Sequence, residues 1–596
     1  MGANTFMLEY ILAVNSERQH MANLSQLRRQ RMLAFLEKMR EQHKDDDEVL
    51  VAINEVENEI NEKKYGLVWE EHSEEVEERM VDEVPIFVED KDKEITMTDN
   101  GYNFLLEGDN LHSLHLLEKT HKEKIDVIYI DPPYNTGNED FIYDDNYVDK
   151  EDAFRHSKWL SFMKSRLTVA KKLLSVDGVV FISIDDNEMA NLKLVCDSVF
   201  GADSFIGCLP RVTKKSGKQH SNNIANNHDY VLVYSNTESP DTFCGIQVKD
   251  DSYPFKDEFY EERGGYQLNQ TLDYSSLFYN EAMDYEIDIE GEKFYAGGDK
   301  TKWENRHNGD HKNTDWVWRW GKQKLAFGLE NGFVVIKSSR NGKRIYTKTY
   351  AKASIGKNGN DYFIDYVDRE NNLSSLSLTE NSFSNDNAKK ELQKVMPSGS
   401  FDFPKPSLLI RQLLEIIRNK DVEVLDFFAG SGTTGQAVLE LNKDDGGNRH
   451  FILCTNNENN ICDDVTYPRI KTIITGERKD GKKYSDGVPA NLKYYHTDFI
   501  PKKNDNLAND LIAHIDEMIQ LEYGVKIDKE KYISILTDED ADELEKNWTN
   551  YPNIRAIYIS RHVLLTGKQK ELFGTHDCFT IPDYYFREEL REAGEA

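Results

Sequence analysis

The stretch that decides the fold is Glu423-Val-Leu-Asp-Phe-Phe-Ala-Gly-Ser-Gly-Thr-Thr-Gly435, in the last third of the chain. A short apolar run, typical of a buried strand, leads into three glycines spaced Gly-x-Gly-x-x-Gly, which open a helix. Glycine permits a tight turn and a close approach of the backbone to a ligand. The spacing alone is weak evidence, but strand, glycine turn and helix together predict a ligand site at the carboxyl edge of an α/β sheet.

A second strand pattern ends in a different motif. The run Ile125-Asp-Val-Ile-Tyr-Ile130 is short and apolar, and Asp131, Pro132, Pro133 and Tyr134 follow it. Two prolines fix the backbone and remove two N–H donors, so main-chain carbonyls and a carboxylate remain as acceptors. Such acceptors suit an amino group with two hydrogens, and the tyrosine offers a flat face on which a base stacks. We therefore predict these four residues as catalytic.

Apolar runs alternate with helical patterns around the two motifs, which predicts a parallel α/β sheet with helices on its faces. Apart from the two motif strands, the predicted elements are strands at 179–184, 228–234 and 450–454 and helices at 153–174, 187–200, 407–418 and 436–441. Both motifs then lie where ligands bind in open α/β sheets, at the carboxyl ends of strands.

The charge of the chain is large and unevenly spread. The 596 residues carry a formal charge of -33, from 74 basic and 107 acidic side chains. Taken alone, this charge argues against a general nucleic-acid or membrane coat, because polyanions would be repelled. Residues 41–100, however, carry a net -16 and residues 300–357 a net +10. We interpret the acidic stretch as a solvated helical face and linker, with a partner-docking or nucleic-acid-mimicking segment as the alternative.

Cysteine usage and the N-terminus suggest a cytoplasmic protein without membrane contact. The six cysteines form no Cys-x-x-Cys pair, which indicates neither a disulfide framework nor a zinc site, so we expect no metal. The apolar run Phe6–Val14 is short and contains Glu9, so it fits neither a signal peptide nor a membrane span.

Asp-Pro-Pro-Tyr followed later by Phe-x-Gly-x-Gly resembles the motif pair of S-adenosylmethionine-dependent amino-methyltransferases of DNA, in the permuted order of the β class. Further matches are Glu107–Leu114 before the catalytic strand and Phe403–Leu408 before the glycine stretch. The run Ile130–Tyr143, a long N-terminal helix over 1–64 and a C-terminal domain are similar to the modification subunit of type III restriction–modification systems. The resemblance covers most of residues 100–500 strongly and both ends weakly.

The resemblance implies a Rossmann-like, seven-stranded methyltransferase sheet and methyl transfer from S-adenosyl-L-methionine to the N6 amino group of adenine in duplex DNA. Aspartate at the first motif position fits adenine, since serine is commoner there in cytosine-N4 members. The alternatives are a cytosine-N4 enzyme, an RNA or protein-glutamine substrate, and a non-catalytic recognition subunit for a nuclease partner.

The same resemblance implies five regions. They are an N-terminal helical and acidic region at 1–100, the catalytic half of the methyltransferase core at 101–239, an inserted target-recognition domain at 240–395, the cofactor-binding half of the core at 396–496 and a C-terminal domain at 497–596. The inserted region is the one that carries the basic segment and little periodicity.

The cofactor is expected over 428–432, with its ribose on Glu458, its adenine near Asp109 and its methionine end near Lys405. The predicted cofactor-binding residues are Asp109, Asn110, Lys405, Pro406, Asp426, Phe427, Phe428, Ala429, Gly430, Gly432, Thr433, Thr434 and Glu458. The target adenine would leave the duplex and stack on Tyr134, while Asp131 and the Pro132 carbonyl accept from its amino group.

Lysine and arginine supply phosphate contacts, so the basic residues are the predicted DNA contacts. They are Arg211, Lys214, Lys215 and Lys218 in one loop and Arg319, Lys322, Lys324, Arg340, Lys343 and Arg344 in the insertion. Trp316, Trp318 and Trp320 alternate as the core face of a strand would, with a DNA-contacting role as the alternative. The resemblance further implies a homodimer and a separate restriction subunit with helicase and nuclease motifs.

Overall fold

A nine-stranded sheet forms the centre of the computed structural model. Its strands are β1 (Glu83–Glu89), β2 (Tyr102–Glu107), β3 (Ile125–Ile130), β4 (Leu174–Ile184), β5 (Phe205–Val212), β6 (His228–Ser235), β7 (Glu423–Asp426), β8 (His450–Thr455) and β9 (Asn491–Pro501). They lie side by side in the order β1-β9-β2-β8-β7-β3-β4-β6-β5. The structure describes residues 32–40, 43, 47–61, 69–70, 72–137, 140–143, 146–215, 224–247, 252–339, 342–367, 369–397, 401, 403–504, 506–581 and 585–592.

The sheet is mixed rather than wholly parallel. The six neighbouring strands from β9 to β4 run parallel, whereas β1 is antiparallel to β9 and β5 and β6 are antiparallel at the opposite edge. The expected α/β sheet is therefore confirmed, but it has nine strands instead of seven, and the pairing at both of its edges is antiparallel instead of parallel. The sequence did not predict β1 because its buried residues Val84, Ile86 and Phe87 stand within the acidic region.

Two hydrophobic cores lie on the two faces of the sheet, because successive residues of a strand point to opposite faces. In β3, Ile128 and Ile130 belong to one core, while Val127 and Tyr129 belong to the other. The helices beside the sheet are α1 (Glu75–Asp82), α2 (Asn110–Thr120), α3 (Arg155–Leu173), α4 (Met189–Phe200), α5 (Ser407–Glu415), α6 (Thr433–Asp445) and α7 (Tyr467–Thr475).

Several elements have nearly the bounds that the sequence predicted. β3 has the predicted bounds, and the helix predicted at 153–174 is α3. Helix α6 is longer than the predicted 436–441, because it begins at Thr433, directly after a left-handed Gly432 with φ of 76°. Glycine adopts this φ without strain, so the helix starts inside the glycine stretch.

The region 240–395 has a hydrophobic core of its own. Trp318 is buried in this core, and Trp316 and Trp320 pack against it, which confirms their interpretation as core residues. The strands of the region are Ile246–Gln247, Tyr266–Thr271, Asp273–Ser275, Ile287–Ile289, Glu292–Phe294, Trp316–Trp318, Val334–Ser339, Gly342–Tyr350, Ala353–Asn358, Asp361–Tyr366 and Glu370–Asn371. Its helices are Tyr260–Arg263, Lys300–His307, Lys322–Glu330 and Asn385–Val395.

The two terminal regions each share a strand with the large sheet: β1 precedes residue 101, and β9 continues past residue 496. A separate three-stranded parallel sheet follows. Its strands are Tyr532–Ile535, Ala556–Ser560 and Asp577–Ile581, and the helices of this region are Leu507–Ile512, Ile515–Tyr523, Asp538–Lys546, Gly567–Phe573 and Arg587–Glu592.

The N-terminal helix predicted over 1–64 is described in two pieces, 32–40 and Asp47–Asn61, and the rest of that prediction lies outside the described residues. Within the part of the chain that the structure describes, no helix is long and apolar enough to cross a membrane.

Candidate active site

Two loops meet at the carboxyl edge of the large sheet. Strands β7 and β3 are parallel neighbours, with Val424 beside Val127 and Leu425 beside Ile128, so both strands end at the same edge. The glycine stretch follows β7, and the Asp-Pro-Pro-Tyr motif follows β3. The sheet therefore brings together two motifs that lie almost 300 residues apart in the sequence.

Lys405 connects the two loops. Its Nζ donates hydrogen bonds to Asp131 Oδ1 at 2.5 Å, to Asp131 Oδ2 at 2.6 Å and to the Tyr134 hydroxyl at 2.8 Å. The Thr433 hydroxyl, at the start of α6, donates to the Lys405 carbonyl at 3.3 Å. Hydrogen bonds between two charged groups are stronger than neutral ones, so Lys405 fixes the Asp131 carboxylate firmly. The sequence predicted Lys405 near the cofactor but did not predict this ion pair.

The Tyr134 side chain is half-buried and lies between two carboxylates. Its hydroxyl donates to Asp229 Oδ2 at 3.4 Å, on strand β6. Burial, reinforced by the negative charges of Asp131 and Asp229, raises the pKa of Tyr134 well above its ordinary value. The phenol therefore stays protonated at neutral pH and keeps its donor.

The loop after β3 is held by the helices that follow it. Trp159 Nε1, in α3, donates to the Pro133 carbonyl at 2.7 Å. Asn135 is buried with a φ of 55° and donates from Nδ2 to Glu188 Oε1 at 2.6 Å. Asparagine enters this left-handed region more readily than most residues. The prolines, Trp159 and Asn135 together give the motif a fixed backbone.

The glycine stretch forms a turn, called the cradle below, whose least crowded position is Gly430. Gly430 and Gly432 have φ of 48° and 76°, in the left-handed region that favours glycine. A Cβ added to Gly430 would have the Phe428 carbonyl oxygen at 3.8 Å and a Phe401 ring atom at 3.9 Å as its nearest neighbours. Both atoms are at ordinary van der Waals distance, so the backbone at Gly430 is not crowded by its neighbours, and it lies at the N-terminus of α6, where an anionic group is favourable. These residues fit a nucleoside-bearing cofactor.

Asp426, the last residue of β7, shapes this turn from beneath. Its Oδ1 accepts a hydrogen bond from the Phe428 N–H at 3.0 Å, and its other oxygen accepts one from the Thr434 hydroxyl. Burial raises the pKa of Asp426 to about 7, against the lowering effect of both hydrogen bonds. Five of the predicted cofactor residues are buried, so they stabilise the turn from beneath and do not form its exposed surface. They are Asp426, Phe427, Ala429, Thr433 and Thr434.

Arg469 supports the glycine stretch, and sequence reasoning missed it. Its Nη1, in α7, donates to the Ser431 hydroxyl at 2.9 Å, the Ser431 carbonyl at 3.2 Å and the Thr433 hydroxyl at 2.8 Å. Its Nε donates to Gln436 Oε1 at 2.8 Å. An arginine directly after Pro468, in a run that also contains Ile470, Ile473 and Ile474, is the signal that could have indicated it.

Asn110 ties the start of α2 to the glycine strand. Its Nδ2 donates to the Phe427 carbonyl at 2.9 Å, and its Oδ1 accepts from Arg166 Nε at 2.5 Å. Arg166 is fully buried and also donates to Glu74 Oε1 at 2.7 Å. Asp109 caps α2 by accepting from the Leu111 N–H at 2.7 Å. The predicted pair Asp109–Asn110 therefore lies beside the glycine stretch.

A family model described as DNA methylase matches residues 125–466, which is more than half of the chain. The match begins at β3 and includes both motifs. The chain belongs to the DNA methylase family. Its cofactor is S-adenosyl-L-methionine, and the contact of this cofactor with the cradle at Gly430 stays a prediction.

Three curated relatives of this DNA methylase are similar over 60–69% of the chain. The StyLTI Mod subunit of a type III restriction-modification enzyme from Salmonella typhimurium is 33% identical, and the match covers 60% of this chain and 52% of the relative. The EcoPI Mod subunit of Escherichia phage P1 is 30% identical, with 69% and 66% covered. The type II methyltransferase M.KpnI of Klebsiella pneumoniae is 32% identical, with 69% and 91% covered.

The chain thus spans about half of the length of the StyLTI relative and about two thirds of the EcoPI relative. Among solved structures, it is similar to the crystal structure of an M1.HpyAVI–SAM complex, at a TM-score of 0.25 and 11% identity, over 61% of this chain and 98% of that chain.

Two further predicted cofactor residues of this DNA methylase lie outside the glycine stretch, one after β8 and one before α5. Glu458 is exposed in a turn after β8, and the neighbouring Asn457 donates to Glu107 Oε1 at 2.8 Å. The ribose contact of Glu458 stays a prediction. Pro406 occupies the position before α5, directly after Lys405, and fixes the backbone there.

Arg211 is not a DNA contact, and this prediction is corrected. The residue is 1% exposed on strand β5, and its guanidinium donates from Nε to Asp229 Oδ1 at 2.8 Å and from Nη1 to the Phe383 carbonyl at 2.7 Å. A guanidinium held inside the protein by these oxygens cannot reach a phosphate. Of its sequence neighbours, Lys214 is half-buried and Lys215 exposed, and Lys218 lies outside the described residues.

The predicted contacts in the insertion are partly engaged with their own chain. Lys343 binds Glu292 at 2.6 Å, and Arg344 binds Asp273 at 2.7 Å. The remaining described candidates lie over aromatic rings: Arg319 over Tyr274 at 4.5 Å, Lys322 over Tyr285 at 5.4 Å and Lys324 over Trp320 at 5.0 Å. Arg319 and Lys322 are exposed, whereas Lys324 is half-buried, and Arg340 lies outside the described residues. DNA contact by this set stays a prediction.

Proposed function

We propose that this chain transfers a methyl group from S-adenosyl-L-methionine to the N6 amino group of an adenine in duplex DNA. The observation that carries the proposal is the Asp131–Lys405–Tyr134 cluster beside the cradle at Gly430. A carboxylate and a tyrosine ring stand at the end of one strand, and the cofactor loop stands at the end of its neighbour.

The adenine must first leave the duplex, because its amino group is otherwise paired inside the stack. Unpairing and unstacking cost a few kcal/mol. The Tyr134 ring then supplies a stacking face, and the Asp131 carboxylate and the Pro132 carbonyl accept the two amino hydrogens. The cofactor supplies an electrophilic methyl group, and the residues of the chain orient the nitrogen lone pair toward it. Catalysis is therefore mainly alignment and electrostatic stabilisation.

In the free enzyme, the ammonium group of Lys405 lies where the amino group of the adenine would bind. Its ammonium hydrogens occupy both oxygens of Asp131, and one of these oxygens is the acceptor that the amino group of the base needs beside the Pro132 carbonyl. The entering amino group must therefore displace one of the two hydrogen bonds of Lys405. The other keeps the carboxylate in place, so the positive charge stays beside Asp131 throughout.

The similarity to StyLTI and EcoPI Mod subunits supports a role as the modification and recognition subunit of a type III restriction–modification system. As such it would work in the bacterial cytoplasm, as a homodimer that also joins a restriction subunit. M.KpnI, a type II methyltransferase, supports instead an enzyme that acts without such a subunit. Purification of the expressed chain with and without the product of a neighbouring restriction gene, followed by light scattering, distinguishes the two.

Tritium transfer from labelled S-adenosyl-L-methionine to duplex DNA, followed by nucleoside analysis, tests the proposal. We expect label in N6-methyladenine with the parent, and a loss of about 10³-fold with Asp131→Ala, because the main acceptor of the amino group is gone. Asp185→Ala is the matched control, since Asp185 follows the adjacent strand β4 and bonds the nearby Asn187. Label in N4-methylcytosine, in RNA only, or in no nucleic acid would contradict the proposal.

A further inference from the structure

A chain of buried polar contacts starts at the end of the insertion. The Phe383 carbonyl and the Asn385 side chain both accept from Arg211 Nη1, at 2.7 and 3.0 Å. The Asn385 N–H donates in turn to the Thr213 carbonyl, just after β5, at 2.9 Å. The segment that returns from the insertion to the core is therefore fastened directly to the buried guanidinium.

The contacts continue from Arg211 to the catalytic motif. Arg211 binds both oxygens of Asp229, one from Nε at 2.8 Å and the other from Nη2. Asp229 is 2% exposed, and its Oδ2 also accepts from the Tyr134 hydroxyl at 3.4 Å. Tyr134 accepts from Lys405, which binds Asp131.

The charges in this series alternate in sign. Arg211 and Lys405 are cationic, Asp229 and Asp131 are anionic, and Tyr134 is a neutral link between the two pairs. Burying an ionised group is costly unless a partner and hydrogen bonds compensate it, so each member depends on its neighbour being in place. Because a guanidinium offers five donors in a planar fork, only arginine binds Asp229 with two bonds and the Phe383 carbonyl as well.

We infer that Arg211 and Asp229 are positioning residues for Tyr134, and that they connect the state of the target-recognition insertion to the base pocket. The inference rests on the proposed function, in which Tyr134 receives the adenine. Movement of the segment at 383–385, when the insertion engages its DNA sequence, is transmitted through Arg211 and Asp229 to the Tyr134 hydroxyl. Tyr134 is therefore positioned to receive a flipped base only when the insertion is bound to its DNA sequence.

The first test reads the position of Tyr134 without any reaction. 3-Fluorotyrosine is placed at residue 134 of the full chain, and its ¹⁹F resonance is compared between the parent and Arg211→Lys. We expect a clear shift, because lysine keeps the charge but cannot form the same set of bonds. Arg449→Lys is the matched control: Arg449 is as buried as Arg211 and pairs with the half-buried Asp445, at 2.9 Å, away from the catalytic motif. A resonance that moves equally in both variants, or in neither, overturns the inference.

The second test is a double-mutant cycle on kcat with Asp229→Asn and Tyr134→Phe. Each single change is expected to lower kcat about tenfold with little change in the KM for the cofactor, and the double variant about as much as the worse single, since both act through one hydroxyl. Losses that multiply to about a hundredfold would overturn the inference. Thermal unfolding and cofactor binding of each variant identify any change that merely unfolds the protein.

The two tests separate the inference from the proposed function. If the parent methylates adenine and the cycle is additive, the positioning role is wrong while the function stands. If the parent methylates no DNA, the proposed function fails, and the ¹⁹F resonance of residue 134 alone decides whether Arg211 sets the position of the tyrosine.

Discussion

Positive charge is used in two different ways at the carboxyl edge of the core and in the insertion. Beside the two motifs of the core, the cations that hold the site in shape are largely buried and bound to oxygens of their own chain. They are Arg166, Arg211, Lys405 and Arg469. In the insertion, most cations are exposed. Between residues 300 and 357, the exposed ones that the structure describes are Lys300, Lys302, Lys312, Arg319, Lys322, Lys337, Lys343, Lys352 and Lys357.

The difference shows what a charge count can and cannot locate. The net +10 of residues 300–357 indicates a surface that attracts a polyanion, but it does not separate Lys343, whose charge is paired with Glu292, from Arg319, which has only the uncharged Thr271 carbonyl and Tyr274 ring beside it. A buried cation, by contrast, binds fixed groups of its own chain, so it stabilises the geometry of the site and does not bind the DNA. Loss of a core cation should therefore affect catalysis or cofactor binding, whereas loss of an insertion cation should affect DNA affinity.

Lys405→Met should give the largest effect of the cation changes. It removes the partner that fixes the Asp131 carboxylate, and we expect kcat to fall about 10²-fold, as for the loss of one preorganised charge contact in an active site. DNA affinity at low salt should change little. Lys443→Met, at an exposed lysine of α6, is the control. A Lys405 variant that keeps full kcat but binds DNA weakly would contradict the prediction, because it would show that Lys405 contributes to DNA affinity as the cations of the insertion do.

Arg469→Lys should come next. Because its guanidinium holds the Ser431 and Thr433 hydroxyls, lysine leaves part of the glycine turn unsupported. We expect the Kd for S-adenosyl-L-methionine to rise about 10-fold or more, as when an outer partner of a binding shell is lost. Calorimetric titration of the free protein measures it, with the exposed Arg418→Lys as control. An unchanged Kd would show that the turn holds its shape without Arg469.

Arg319→Ala and Lys322→Ala should each have a smaller effect, on DNA only. If each contacts one phosphate, the slope of log Kd against log salt should decrease by about one and affinity should fall a few-fold, with kcat at saturating DNA unchanged. Lys503→Ala, 92% exposed in the C-terminal region, is the matched control. Salt slopes that stay at the parent value in both variants would move the DNA surface away from this part of the insertion.

Asp426→Asn should have the smallest effect, and one that depends on pH. Because burial raises the pKa of Asp426 to about 7, above its unfolded value, the folded state loses stability as pH rises from about 4 to about 7. Asparagine removes this loss. We expect the Tm of Asp426→Asn relative to the parent to increase by a few degrees between pH 5 and pH 8 in thermal unfolding scans. Asp421→Asn, at an exposed carboxylate, should show no such trend; a pH-independent difference for Asp426→Asn would contradict the shift.

The local part of the site could be predicted from the sequence, and the non-local part could not. Strand β3, Asp131–Tyr134 and the glycine turn are continuous stretches whose residue types determine their own geometry. Arg211 was misplaced because Arg211, Lys214, Lys215 and Lys218 form a basic run, and only the pairing of β5 with β6 shows that the first of them points inward at Asp229. Arg469, Arg166 and Asp229 were missed because their partners lie far away in sequence.

The same reason explains why β1 was not predicted as a strand of the sheet. An apolar strand of seven residues, β1, stands in a region with 22 acidic and 6 basic side chains, so composition pointed to a linker. Part of that acidity is structural: Glu74 binds Arg166, and Glu89 binds the buried Lys493. These acidic residues form ion pairs with residues far away in the sequence, and a single sequence does not reveal such pairs.

The most direct test of the central claim is sequencing of modified bases in the DNA of cells that express this chain. The claim is that Asp131 and Tyr134, at the carboxyl edge of β3, present a flipped adenine to the cofactor loop after β7. We expect N6-methyladenine at one recurring sequence in cells with the parent chain and its absence in cells with Asp131→Ala at equal protein levels. Unmodified adenine in both, or N4-methylcytosine in its place, would contradict the claim.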